Sequence, residues 1–312
     1  MQLFMVIFGA VLGLVYGHNT DGFIFDSNIC LFAGLTLIMP TLFNVKLSDI
    51  RLIVEHKLVI IKSLMANYLL LPVIAIGIGL ATDSFGVAAG LFLLSVLSGG
   101  GMVMHWIKKS KSDTSIGFII LFINLILISL SLFMLDNFGI YMAEHFGESY
   151  ADVVSVSNFA KSVIILLIVV PFIVSRVILY IKPLQSFIEE KRKYISHISI
   201  FVILFYLFGL QSSQLLFELY DFEPELFYIS IFAVIAFYMF TYMATRLIFN
   251  LSSLQEKSAF WHSITRYITL ALVISTFTTK TFGVAMILPI MFAYIVQIPF
   301  AIYIDKKVMH QA

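Results

Sequence analysis

Arg266 lies about eight residues inside an apolar run, where a charge in mid-bilayer would cost about 2.5–3.5 kcal/mol on insertion scales. The run reads Ser258-Ala259-Phe260-Trp261-His262-Ser263-Ile264-Thr265-Arg266-Tyr267-Ile268-Thr269. On a continuous helix His262, Arg266, Thr269 and Val273 share one face, with Thr265 and Thr276 at its edges. The apolar runs over 58–81, 85–107, 226–249 and 282–304 hold no Asp or Glu at depth, and Asp26 and Asp136 fall near run ends. A guanidinium so placed lacks a carboxylate partner, and an anionic substrate would supply one. The structural alternative is a side chain that snorkels to the membrane surface or bonds open backbone carbonyls.

A second break in the apolar pattern is Ser98-Gly99-Gly100-Gly101, followed by Met102-Val103-Met104-His105-Trp106. Consecutive mid-helix glycines cost about 1 kcal/mol each relative to alanine, so they favour unwinding over close packing, whose motifs space glycines by four. Unwound backbone is tolerated in a membrane only where it faces protein or a wet cavity. Asn67 precedes Pro72, Asn124 lies midway along its run, and Gln297 precedes Pro299. Each serves either as interhelical glue or as part of a binding site. His105 and His262 are candidate proton carriers or hydrogen-bonding spacers.

These residues must be positioned by a chain of 312 residues that is 61% hydrophobic and 12% charged, with a mean hydropathy of +1.02. Soluble domains are roughly 25% charged, so a soluble enzyme, a nucleic-acid binder and a disordered chain are excluded. A single cysteine, Cys30, excludes a disulfide framework and a cysteine-built metal site. No HExxH, Gly-x-Ser-x-Gly or paired deep carboxylate points to an enzyme, and no cofactor is implied. Met1 to Gly17 has no Lys or Arg ahead of its apolar stretch and reads as a retained helix.

Hydropathy predicts about ten spans. They cover Gln2–Tyr16, Phe25–Phe43, Leu58–Ala81, Phe85–Ile107, Thr114–Leu135, Asn158–Ile181, Ile195–Leu216, Leu226–Phe249, Ser258–Thr279 and Phe282–Ile304. Lys and Arg gather in alternate joints: Lys46, Arg51 and Lys57; Lys108, Lys109 and Lys111; Lys182 and Lys191–Lys193; Arg246 and Lys257; Lys306 and Lys307. The intervening joints are acidic or neutral apart from Lys280. The positive-inside rule then places those basic joints and both termini in the cytoplasm, in a plasma (cell inner) membrane. Five spans per half make the halves opposite in orientation, an inverted repeat of the kind secondary transporters use.

At these residues the chain resembles the bile acid:sodium symporter superfamily, and most closely its arsenite-efflux and arsenic-resistance-like branch. An Asn-Trp-x-x-x-Pro pattern in the third span is matched by Asn67-Tyr68-Leu69-Leu70-Leu71-Pro72 with one aromatic swap. A Cys-x-Ala-Met-Val-x-x-Trp pattern lines up with Gly99 to Trp106. Asp113 resembles the aspartate closing the next joint, and Asn124 the asparagine of the fifth span. Thr265-Arg266-Tyr267 is similar to Ala-Arg-Asn, and Val296-Gln297-Ile298-Pro299 to Val-Glu-x-Pro.

The resemblance implies an all-α polytopic membrane protein, two inverted five-helix repeats with broken, crossing helices in spans four and nine. One membrane domain, 1–312, would comprise a panel (1–45 and 155–217) and a core (50–136 and 226–305), with a substrate cleft between them and rocking as the route to alternating access. Gly99 replaces the cysteine that would hold trivalent arsenic, which favours thiolate. His262 and Arg266 stand where the sodium-coupled branch has a Glu and a Gln as sodium ligands, and Asn67 where it has a Gln. An imidazole and a guanidinium there are hostile to a bound cation, which leaves the coupling ion open between proton and sodium.

The expected function is a secondary transporter for a small organic anion, a monocarboxylate for first choice. Arg266, His262, Asn67, Asn124, Ser98, Gly99, Gly100, Gly101, His105, Thr269 and Gln297 would line its site. The alternatives are arsenite or antimonite efflux without the cysteine, and a channel or non-transporting sensor on the same scaffold. Expected partners are the lipid bilayer and the small anion, with no nucleic acid, in a monomer or homodimer.

Overall fold

Along the long helices uncharged polar side chains are buried while a stripe of large apolar ones is exposed. In the helix Lys57–Leu80, Ser63 and Asn67 are fully buried, while Leu58, Ile61, Met65, Leu69 and Val73 form an exposed stripe at helical spacing. In Glu225–Ile248, Ser230, Thr241 and Thr245 are buried and Tyr228, Phe232, Met239, Met243 and Leu247 are exposed. Water would make that arrangement untenable; a hydrocarbon solvent requires it. The protein is an all-helical, polytopic membrane protein.

The computed structural model describes residues 2–20, 22–23, 26, 28–43, 50–100, 102–148, 150, 165–212, 219–220 and 223–309. Gly101, Lys46 and the first residues of the sixth expected span, 158–164, lie outside them, as do the side chains of Cys30, Lys193, Thr276 and Lys280. In chain order the helices are α1 (Gln2–Asn19), α2 (28–42), α3 (Ile50–Glu55), α4 (Lys57–Leu80), α5 (Phe85–Val96), α6 (Val103–Lys109) and α7 (Thr114–Ile126). They continue as α8 (Ile128–Met142), α9 (165–179), α10 (Lys182–Ser212), α11 (Glu225–Ile248), α12 (Leu254–Ile264), α13 (Ile268–Phe282) and α14 (Val284–Lys307). Among the described residues the only β-pairing is one antiparallel bridge, between Ser98 and Arg266.

Prolines explain three local departures from regular helix. A proline lacks its N–H and its ring crowds the carbonyl four residues back. A π turn, one residue wider, precedes Pro40 in α2 (Gly34–Ile38), Pro72 in α4 (Ala66–Leu70) and Pro171 in α9 (Ile165–Val169). Asn67 sits in the second of these turns. The fifth expected span is not straight: α7 and α8 meet at Leu127 with a 51° bend. The joint after the sixth is helical, with Lys182–Arg192 turned 117° from Val170–Leu179 and continuing unbroken to Ser212.

The chain divides into two compact units, Met1–Val45 with Val153–Glu218, and Lys46–Asp152 with Leu219–Ala312. In the first, α1 packs along α10, with Phe8 stacked on Phe201 (5.8 Å) and Gly13 against the backbone of Phe205. Met39, Phe43, Ile178 and Ile188 join α2, α9 and α10. In the second, α5 is buried on every side, Phe85 to Val96, against the end of α4, α8, α11, α13 and α14. A helix apolar all round belongs at the centre of its unit. From Lys257 to Ile264, α12 is buried as completely, against α7, α6, α11 and the start of α4.

Among the described residues three helices, α4, α11 and α14, are each long and apolar enough to cross a membrane, and the pairs α7–α8 and α9–α10 bring the total there to five. The expected fourth and ninth spans do not register as single helices because each is split: α5 from α6, and α12 from α13.

Close packing around α5 generates a paired prediction. A Cβ on Gly90 would collide with the Met286 carbonyl and Pro289, whereas one on Gly77, exposed in α4, meets nothing within 4 Å. Gly90→Ala should lower the melting temperature of the detergent-purified protein, an overpacking cost of about 1–3 kcal/mol. Gly77→Ala should leave it unchanged or raise it, since alanine gains up to about 1 kcal/mol in helix propensity.

Candidate functional site

Where α5 and α12 stop, their last carbonyls and the amides that follow have no helical partners. Leu97 and Thr265, the two terminal residues, are extended. The Gly99 N–H donates to the Thr265 carbonyl and the Tyr267 N–H to the Leu97 carbonyl, both at 2.9 Å. The two gaps therefore satisfy each other, 168 residues apart in sequence when counted from Gly99 to Tyr267. Glycine is required on one side. Gly99 and Gly100 have φ of +77° and +111°, and Cβ atoms there would lie 2.9 Å from His262 Nδ1 and from the Tyr267 ring.

Arg266 occupies the meeting point and is 2% exposed. Its Nη1 donates to the Ser95 carbonyl (2.9 Å), and its Nη2 to Asn67 Oδ1 (2.7 Å) and to the His262 carbonyl. Its backbone N–H donates to Gln297 Oε1 at 2.6 Å, and that oxygen also accepts the Tyr238 hydroxyl at 2.7 Å. No Asp or Glu among the described residues lies within ion-pair distance of the guanidinium, and its buried Nε–H has no acceptor among them. Ser95 and His262 belong to the last turns of α5 and α12. Each such end carries roughly half a negative charge. Two ends together thus approach the charge of one carboxylate. Of the two structural options, snorkelling is excluded and bonding to open carbonyls is what occurs.

His262 and Asn124 complete the cluster. His262 Nε2 lies 2.8 Å from the Gly117 carbonyl of α7. A carbonyl only accepts, so Nε2 holds the proton and Nδ1 is a bare acceptor with no partner among the described residues. Asn124 Nδ2 donates to Ser98 Oγ (3.2 Å), which donates to the His262 carbonyl (2.9 Å). Asp113 fixes the relation of α7 to α12: it caps α7 through the Ser115 and Ile116 N–H groups and accepts from Gln255, and its carbonyl accepts Ser258 Oγ.

Of the residues singled out from sequence, the structure gathers Arg266, His262, Asn67, Asn124, Ser98, Gly99, Gly100 and Gln297 in one buried region. Two lie outside it. His105 is exposed on α6, its ring edge-on to Trp106 at 5.2 Å. Thr269 is in α13, where its Oγ1 accepts the Tyr294 hydroxyl at 2.8 Å. The single face expected for His262, Arg266, Thr269 and Val273 does not exist, because the helix stops at Ile264 and restarts at Ile268. Ser95 and Tyr238 were not anticipated. Ser95 contributes a backbone carbonyl, which any residue offers, and Tyr238 is one aromatic among many in α11.

A model of the sodium bile acid symporter family matches residues 31–217. That stretch includes the gap between α5 and α6, but not the gap holding Arg266. No curated protein matches the chain.

The hydrogen-bond pattern ranks two substitutions. Asn67→Leu strips an acceptor from a buried cation, a loss of about 1.5–3 kcal/mol, whereas Tyr238→Phe removes a neutral donor from an oxygen that keeps its other donor, about 0.5–1.5 kcal/mol. Thermal unfolding in detergent should therefore show a larger fall in melting temperature for Asn67→Leu than for Tyr238→Phe.

Proposed function

The chain belongs to the sodium bile acid symporter family, and we propose that within it this protein carries a small organic anion, a monocarboxylate, across the cytoplasmic membrane. Family members are secondary transporters and not enzymes, and act on small anions. The observation that carries the narrower reading is the guanidinium of Arg266: wholly buried, without a carboxylate partner among the described residues, and with Nε–H unspent. One carboxylate group answers that donor. The start of α13, two residues beyond Arg266 and without a side-chain cap, adds a positive helix end to the same place.

The antiparallel sense of the Ser98–Arg266 bridge supports an inverted repeat, because helices interrupted in halves of opposite orientation run through one another in opposite directions. In this reading about ten spans form two five-helix repeats, the site is exposed to either side of the membrane in turn, and both termini are cytoplasmic as the Lys/Arg alternation requires. Position 99 lends nothing to the arsenite alternative: a cysteine there would place its Cβ on the His262 ring.

Proteoliposomes holding the full chain should show saturable counterflow of a labelled monocarboxylate. Arg266→Gln, which removes the charge and leaves a shorter side chain with an amide donor, should lower its uptake at least about tenfold, the loss of a charged hydrogen bond in a buried site. Undiminished counterflow in Arg266→Gln, or none for any small carboxylate in the wild type, rules the reading out.

A further inference from the structure

Two helix C-termini aimed at one point create a demand for positive charge that exists whatever the protein transports. The Ser95 and His262 carbonyls, the Asn67 amide oxygen and the partial negative ends of α5 and α12 converge on a single position. Left empty, that position would place bare acceptors in a dry interior and would repel an anion. Arg266 fills it from within the chain. Its guanidinium is held by those three oxygens, and its own backbone N–H is pinned by Gln297, so the charge is tethered at both ends of the residue.

We infer that Arg266 is the resident cation of this crossing, filling a cation seat built by the ends of α5 and α12, so that the carrier needs no bound sodium or other free cation beside its substrate. The seat itself stands on geometry; the consequence for transport rests on the anion-carrier reading above. A tethered cation cannot dissociate, so no ion gradient is spent at this position and none drives accumulation through it. The anion then meets a site whose negative helix ends are already balanced, and Nε–H and the start of α13 are left to bind it.

The test compares melting temperatures of the purified full chain at constant ionic strength in sodium, potassium and choline chloride. The wild type should be indifferent to the cation. Arg266→Ala vacates the seat; it should melt lower, and low concentrations of sodium or guanidinium ion should raise its melting temperature saturably while leaving that of the wild type unchanged or reduced. A saturable, sodium-specific rise in the wild type overturns the inference, and so does an Arg266→Ala protein that responds to no cation. Should Arg266→Ala not fold, the wild-type arm still decides, and Arg266→Lys, which retains a tethered charge, should share the wild type's indifference; a sodium-dependent rise in it overturns the inference. Uptake separates the two readings: counterflow that persists in choline supports both, and a sodium requirement sinks the resident cation alone. Absence of any carboxylate counterflow sinks the anion reading and leaves the melting results to judge the seat.

Discussion

Everything in the second unit depends on two interrupted helices repaying each other's lost backbone hydrogen bonds. An unpartnered peptide group costs several kcal/mol in hydrocarbon, so a helix can stop inside a membrane only if something else supplies its bonds. Here the something else is another helix that stops beside it. The Gly99 N–H and the Leu97 carbonyl meet the Thr265 carbonyl and the Tyr267 N–H. Neither gap is tenable alone. That mutual need explains why α5 and α12 are the most thoroughly buried helices of the unit, and why small residues such as Gly86 and Gly90 line the face of α5 that meets α14.

Charge placement follows from the same breaks. A continuous helix hides its dipole ends at the membrane surfaces, whereas an interrupted one exposes them at mid-depth. Two such ends draw a cation, and the chain provides one from the neighbouring residue. The side chains that accept from this residue are neutral: the Asn67 amide oxygen takes the guanidinium and the Gln297 amide oxygen takes the backbone N–H. The same logic keeps Ser98 and Asn124 in a relay of neutral donors to the His262 carbonyl.

Membrane character was legible from composition alone, since too few charges remain to cover a soluble surface. The interruption at Ser98–Gly100 was legible too, because consecutive glycines penalise helix and two of these adopt positive φ. The partner interruption at Thr265–Tyr267 carries no glycine or proline and was expected only through family resemblance. Its breaking force is the opposite strand, not its own composition, so treating the segment as continuous helix placed Thr269 on a face with Arg266 that does not form. The Arg266–Asn67 contact spans 199 residues and depends on how α4 and α12 pack, which no local pattern encodes. His105 illustrates the reverse error: it stands beside the glycines in sequence, but one turn into α6 it points outward. The 51° bend at Leu127 has no proline or glycine to announce it.

The division of labour between backbone and side chains has a consequence for how such a scaffold can change its chemistry. The crossing is held by main-chain groups that most residues supply, with glycine compulsory only where φ is positive. The residues that project from it, among them Arg266, His262 and Asn124, contribute charge and hydrogen-bonding character without carrying the bridge itself. The family match ends at residue 217, ahead of α11 to α14 and of the gap that holds Arg266. On the proposed reading, a tethered guanidinium in place of a free ion would alter what the carrier couples to and leave the pair of backbone bonds on which the crossing stands.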